Sequence, residues 1–450
     1  MTAAAHGDQS MHLPRIRRSA VLGGVLLLMV AGSQWGMLWL AAVYSRHGRV
    51  ADMVSPEAVV GGCALLVALA TVLVFRPRPI QRAVGPVGFL LAGFLLVACV
   101  GELLRPDIRP RNLLTFVAFG AYYVVGTAIG RVAAFRGGRL PVVAGLLAIY
   151  TAWYLGMLAF IVNGDLGFHG VLPNTQLSRL EFREGFTATE LPIPVGFQFP
   201  VLLYAWFAAR SAGTRLWAGA LMLCAVSLVV ATVSAAALMA LALVALVFLI
   251  ARPPHWLSRG VIATALAMFA ATTAVALALA RPGGLVESVT TKLANLIGGE
   301  GARAQIYGQL VLDMVNEPFG IGKGRFVEAH SLGWLGQGVY PHHNLLGIGA
   351  ELGLPALALF VAFSLSAIFV LGSHAFGERA RCNRHLGLLA TMVLAAFVYQ
   401  QFRGLFQDTW DTRETYLWLG IGIGALMARA GPRAAVDATL PSERRPGQDP

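Results

Sequence analysis

Three consecutive residues, His342, His343 and Asn344, stand where a long polar loop runs back into an apolar stretch. An ionisable side chain at the edge of a membrane is costly, which marks it as a functional candidate. A histidine there can act as a general base near neutral pH. A second reading stays open: His343 and Asn344 cap the next helix and satisfy its free backbone N–H groups. A metal site is not expected, because adjacent histidines diverge and no His or carboxylate follows four residues on along a helix face.

Upstream, Arg303 heads a stretch in which Ile306, Leu310, Val311, Met314 and Val315 fall at helical spacing, with Tyr307 among them. A guanidinium fork suits a pyrophosphate through paired, charge-assisted hydrogen bonds. It equally suits snorkelling to lipid headgroups, the plainer account of Arg281 and Lys292. Between the two clusters lies GIGKGRF, with Lys323 and Arg325 set among Gly320, Gly322 and Gly324. It resembles a phosphate-cradling loop but lacks the Walker spacing, so a tight turn after Pro318 is expected. An earlier loop offers Arg179 and Arg183 beside Glu181, Glu184 and Glu190, where salt bridges within the loop are the bland alternative to anion binding.

The elements that position these residues must be membrane helices. The chain has 450 residues, 57% of them apolar and only 12% charged, with a mean hydropathy of +0.69. A soluble protein carries about 25% charged residues, so lipid has to be the solvent for most of this surface. The net charge of +12 and pI near 10.1 do not imply nucleic acid, because Lys and Arg sit in short clusters between apolar runs and no basic groove or binding motif occurs. Cys63, Cys99, Cys224 and Cys382 have neither metal-site nor disulfide spacing.

Twelve apolar runs are long enough to cross a bilayer, at 20–43, 57–75, 83–101, 112–130, 140–162, 195–209, 216–233, 235–251, 260–280, 343–371, 386–402 and 414–429. The run at 195–209 is short, and Gly196 and Pro200 are candidate breaks in it. The first run is too long for the apolar core of a secretion signal and reads as an uncleaved span. Residues 216–251 are almost uninterrupted; as one helix they would measure about 54 Å against a hydrocarbon core of about 30 Å. Basic residues flank both ends, so the stretch is expected to fold back near Thr232–Ser234. With both termini cytoplasmic, the basic loops then fall inside, and 44–56, 102–111, 163–194, 281–342 and 403–413 fall outside. The loop 102–111, with Arg105, Arg109 and Arg111, fits this rule worst. The expected organisation is a cytoplasmic tail at 1–19, a membrane domain at 20–429 with long outer loops at 163–194 and 281–342, and a disordered cytoplasmic tail at 430–450. No internal repeat is seen.

The order Arg303, then NEPFGIGKGRF, then PHHNLLGIGAELGLPALALF resembles the bacterial O-antigen ligase/polymerase family of integral membrane glycan transferases. Residues 303–360 carry most of the resemblance, and the span layout is compatible over about 20–429. It departs in two places: Ser234 is followed by Ala235 and Ala236 where the family often has Ser–Arg–Gly, and Pro355 stands where a later glycine is common.

The resemblance implies an all-α integral membrane protein, glycosyltransferase-C-like, with about twelve transmembrane helices and an amphipathic helix in its long outer loop. It implies transfer of a glycan from an undecaprenyl-pyrophosphate donor to an acceptor hydroxyl at the outer face of the bacterial inner membrane, with no cofactor and no metal. The acceptor would be a lipid A–core sugar for a ligase, or a second lipid-linked repeat unit for a polymerase, and the sequence leans slightly to the ligase. His343 would take the hydroxyl proton. Arg303, with Arg179 or Arg183, would clamp the pyrophosphate, and Asn344, Lys323, Arg325 and Tyr307 would contact substrate. Direct attack would invert the anomeric carbon. A flippase or transporter is the rival from another class; such proteins usually show symmetric halves and broken midplane helices.

Overall fold

The computed structural model describes residues 22–35, 81–135, 139–171, 178–182, 191–232, 234–251, 302–330, 341–377, 383–407 and 409–428. The expected spans at 57–75 and 260–280, both tails, and Arg183, Arg281 and Lys292 lie outside these residues. The described helices are α1 (Leu22–Trp35), α2 (Gln81–Leu103), α3 (Pro110–Phe135), α4 (Arg139–Val162), α5 (Pro192–Ala208), α6 (Ala212–Ala231) and α7 (Ala235–Ala251). They continue with α8 (Ala302–Asn316), α9 (Phe326–Ala329), α10 (Asn344–Leu352), α11 (Leu354–Phe376), α12 (Arg384–Gly404) and α13 (Arg413–Met427).

Among the described residues six helices are long and apolar enough to cross a membrane: the main parts of α2, α3 and α4, and all of α6, α11 and α12. Their outward faces carry exposed Phe89, Leu96, Leu155, Leu365 and Phe369. Large apolar groups displayed on long helices need hydrocarbon around them, so this is a multi-pass membrane protein. The apolar stretch 216–251 is interrupted at Thr232–Ser234, between α6 and α7. The short run 195–209 is not broken: Pro200 sits inside a continuous α5, and Gly196 leaves room for the Tyr399 ring of α12.

The sequence expectation needs two corrections. Loop 163–194 adds a small piece of sheet to the expected all-α fold. It contains a β-hairpin, β1 (Leu166–Val171) paired antiparallel with β2 (Ser178–Phe182), with a register shift between Gly167 and Gly170. Leu166 and Leu180 are buried, which seats the hairpin at the end of α4. The run 343–371 is also not one span. Gly353, at φ 93 and ψ 165, separates α10 from α11. That backbone region is open essentially only to glycine, so the helix cannot pass through it. The nine-residue α10 is about 14 Å long and belongs to the loop side of the bundle rather than to a span.

The tightest packing joins α3 to α13. Gly126 and Gly130 on one face Gly420 and Gly424 on the other, and a Cβ on any of them would run into a backbone carbonyl of the partner helix. This small-xxx-small pairing replaces the hydrophobic drive that helices lack in lipid. Above it, Phe119 stacks on Tyr416 at 4.6 Å, and Trp410 meets the edges of Phe94 and Phe119 at 6.1 Å each.

Candidate active site

One end of the bundle gathers four loops. The segment joining α2 to α3 lies against the glycine turn 318–325: Arg105 donates to the Gly320 carbonyl and Asn112 donates to the Lys323 carbonyl at 3.1 Å. The turn in turn reaches the segment between α12 and α13, where Lys323 pairs with Asp411 at 3.0 Å and lies 4.2 Å over Trp410. The start of α5, which follows the hairpin loop, is held by α12 through Tyr399 Oη donating to the Pro192 carbonyl at 2.9 Å.

α10 is fixed at both ends, and its own sequence explains how. His342 takes φ 47, the one positive φ at a non-glycine among the described residues, and turns the chain into the N-cap. His343 is that cap: its Nδ1 accepts from the Leu346 N–H at 3.3 Å. Its ring meets Tyr307 of α8 edge-on at 5.5 Å, and burial lowers its pKa, so it is neutral at neutral pH. Asn344 is buried beside it. Its Oδ1 accepts from the N–H groups of Thr409 and Trp410 at 2.7 and 3.1 Å, which locks α10 to the α12–α13 segment.

At the other end the N–H groups of Ile321 and Gly322 donate to the last carbonyls of α10, those of Ala350 and Glu351, at 2.8 and 2.7 Å. Gly320 has φ 83, and a Cβ there would stand 2.5 Å from the Glu351 carbonyl oxygen. The turn therefore works as the C-terminal cap of α10. It also holds an anion, but one of the chain's own: the N–H groups of Gly324 and Phe326 hydrogen-bond the Glu351 carboxylate. Burial is the main influence on that group and pushes its pKa up to about 7.

The cations of this turn are engaged. Lys323 is paired with Asp411, and Arg325 binds Asp107, through its side chain and its carbonyl, and the buried Glu102. Arg109 pairs with Glu328. The hydrogen bond from Arg325 holds the Asp107 carboxyl below its usual range, and Arg109 does the same for Glu328. Of the arginines in loop 102–111, Arg109 is paired with Glu328 and Arg105 binds the Gly320 carbonyl, while the loop's own Glu102 and Asp107 pair with Arg325 of the turn.

Of the sequence candidates, Tyr307, His343 and Asn344 come together where α8 meets α10, while Lys323 and Arg325 brace the turn. Arg303 is placed by its backbone in the first turn of α8, and Arg179 by its backbone in β2, opposite Gly170. Sequence reasoning missed three features. Arg403, 1% exposed, lies at the end of α12, binds Gln407 and sits 5.9 Å from the Tyr399 ring. Its signal was an arginine closing an apolar run. Gln34, Gln198, Tyr154 and Glu414 form a buried hydrogen-bonded chain across four helices, with links of 2.6–2.9 Å. Asp313 and His330 are joined at 2.7 Å. Nothing in spacing could have paired residues so far apart. Among the described residues no three His, Cys, Asp or Glu side chains converge as a metal site would require.

No curated protein matches the chain. The match to the O-antigen ligase family model covers less than half of the chain, residues 219–361, running from α6 into the first turns of α11. It takes in α8, the glycine turn and α10, and so points to a membrane glycan function of the O-antigen ligase/polymerase type.

Proposed function

We propose that this chain moves a glycan from an undecaprenyl-pyrophosphate carrier to an acceptor hydroxyl, as an O-antigen ligase-type transferase. The observation that carries the reading is the α8–turn–α10 unit. It lies inside the matched segment and fixes His343 and Asn344 at the loop edge of the bundle, against Tyr307. The donor already has a good leaving group, so the protein needs to orient the acceptor and neutralise the departing pyrophosphate more than to supply a strong acid.

In this reading His343 meets the acceptor hydroxyl and Arg303 meets the pyrophosphate, joined by Arg179 or Arg183 from the hairpin loop. With Lys323 and Arg325 engaged elsewhere, the weight of the clamp falls on those three. The reaction is metal-independent and inverts the anomeric carbon. The chain has twelve spans in the bacterial inner membrane, both termini cytoplasmic and the gathered loops outside.

The test is transfer from a lipid-linked donor by purified protein carrying His343→Ala or Arg303→Ala, with correct folding checked by gel filtration. Each change should reduce transfer at least 100-fold, the loss expected when a group that orients the acceptor or stabilises developing charge is removed. Full activity in both would overturn the mechanism. Products of the unmodified protein decide the branch: glycan on a lipid A–core acceptor identifies a ligase, and lengthened carrier-linked chains identify a polymerase.

A further inference from the structure

A base must offer an unprotonated nitrogen. In His343 the Nδ1 lone pair already accepts the Leu346 N–H, so in the neutral ring the proton sits on Nε2. That ring presents a donor to substrate, and it can accept a proton only if the cap bond is given up. A second histidine at the same end of the bundle has the opposite arrangement. His330 ends the short α9, and its Nε2 lies 2.7 Å from Asp313 Oδ2. The other oxygen of Asp313 accepts from Gln309 Nε2 at 3.0 Å, one turn back on α8. Asp313 is 7% exposed, so the carboxylate is held in place and poorly hydrated. The His330 ring also packs on the buried Phe326, at 4.9 Å. An ionised Asp313 keeps the proton on Nε2 and leaves Nδ1 as the basic nitrogen. Nδ1 has no hydrogen-bond partner among the described residues, and the side chain is 22% exposed.

We infer that Gln309, Asp313 and His330 form an oriented general-base relay, with His330 Nδ1 as the proton acceptor for the acceptor hydroxyl and His343 as a hydrogen-bond donor to substrate. This rests on the transfer reaction proposed above. The acceptor O–H bond breaks and its proton goes to His330 Nδ1. The oxygen forms a bond to the anomeric carbon, and the bond from that carbon to the phosphate oxygen breaks with its electron pair leaving on the pyrophosphate. Asp313 stays ionised and stabilises the imidazolium. Both histidines flank α8. Tyr307, which meets His343, and Asp313, which binds His330, are six residues apart, about 9 Å along its axis.

The experiment uses full-length protein in nanodiscs, a lipid-linked donor and saturating acceptor. His330→Ala should lower kcat 100-fold or more with little change in donor KM, and added imidazole should restore part of the rate. Asp313→Asn should lower kcat, because the imidazole loses the carboxylate that holds its proton on Nε2. His343→Ala should leave the acidic limb of the pH–rate profile where it is in the unmodified protein. A His330→Ala protein that folds and transfers at the normal rate would overturn the relay, as would an acidic limb abolished by His343→Ala alone. No transfer by the unmodified protein would instead overturn the proposed reaction itself.

Discussion

Glu351 shows how a single residue can hold a turn and make it sensitive to pH. Its side chain is buried and accepts from two N–H groups of the glycine turn, and burial still outweighs those bonds, pushing its pKa up to about 7. In the unfolded chain a glutamate titrates near 4.5. Between those values the folded protein binds more protons than the unfolded one, so stability falls as pH rises through the window and is fully present below it. The difference is of the order of 3 kcal/mol. Thermal unfolding in detergent should therefore show a lower Tm at pH 8 than at pH 5, and Glu351→Gln should flatten that slope. An equal slope in the variant would refute the assignment. Asp107 and Glu328 act in the opposite sense: their carboxyls are held low by Arg325 and Arg109, so their support is present at neutral pH and is lost only as pH falls through and below the ordinary carboxylate range. The charges around Glu351 were visible in the sequence, but its proton affinity was not, because burial is set by α9 and the turn folding over it.

At the scale of elements, the break between α10 and α11 and the docking of the turn are one feature. Positions 318–320 and 351–353 approach so closely that a Cβ on Gly320 or Gly353 would enter the other segment's backbone. Gly353→Ala and Gly320→Ala should each cost about 1–3 kcal/mol from backbone conformation alone, with the clash added. Gly324→Ala meets nothing within 4 Å and should cost less despite its φ of 72. Limited proteolysis of the loop ranks the three; equal sensitivity would mean that the turn does not dock as described. The break at Thr232–Ser234 was legible, because one helix of that length exceeds any bilayer. The break at Gly353 was not, because the apolar run continues through it and only the packing of Phe319 and Pro318 demands glycine there. The hairpin was hidden for a similar reason: Leu166 and Leu180 are single apolar residues in a polar loop, too few to form an alternating pattern.

For the whole molecule, the segments between α2 and α3, before α5, around the glycine turn and between α12 and α13 all meet at one end. Cysteines placed at Leu104 and Phe319, 81% and 76% exposed, should react with an impermeant thiol reagent from the same side of the membrane, and one at Gly213 from the other. Labelling of Leu104→Cys and Phe319→Cys from opposite sides would rule out this arrangement. The exposed pair Arg109–Glu328 should show little coupling in a double-mutant cycle. Arg325→Ala should cost more, because it leaves the buried Glu102 without its cation. The motif order around Arg303, the turn and His343–Asn344 marked the candidate site in the sequence; the Asp313–His330 pair did not show, because it joins α8 to the end of α9 across the turn itself.

The enclosure of α13 bears on how the protein is made. Every residue from Glu414 to Leu426 is buried, and α13 follows all the other described helices in the chain. While the ribosome is still translating, α3 therefore waits in the bilayer with Gly126 and Gly130 uncovered, and Asn344 waits for the Thr409–Trp410 segment that locks α10. The end of the bundle that carries His343 and Asn344 can be assembled only after nearly the whole described chain has been synthesised. A release of the nascent chain before Arg413 would leave a protein with most of its spans inserted and no rigid site.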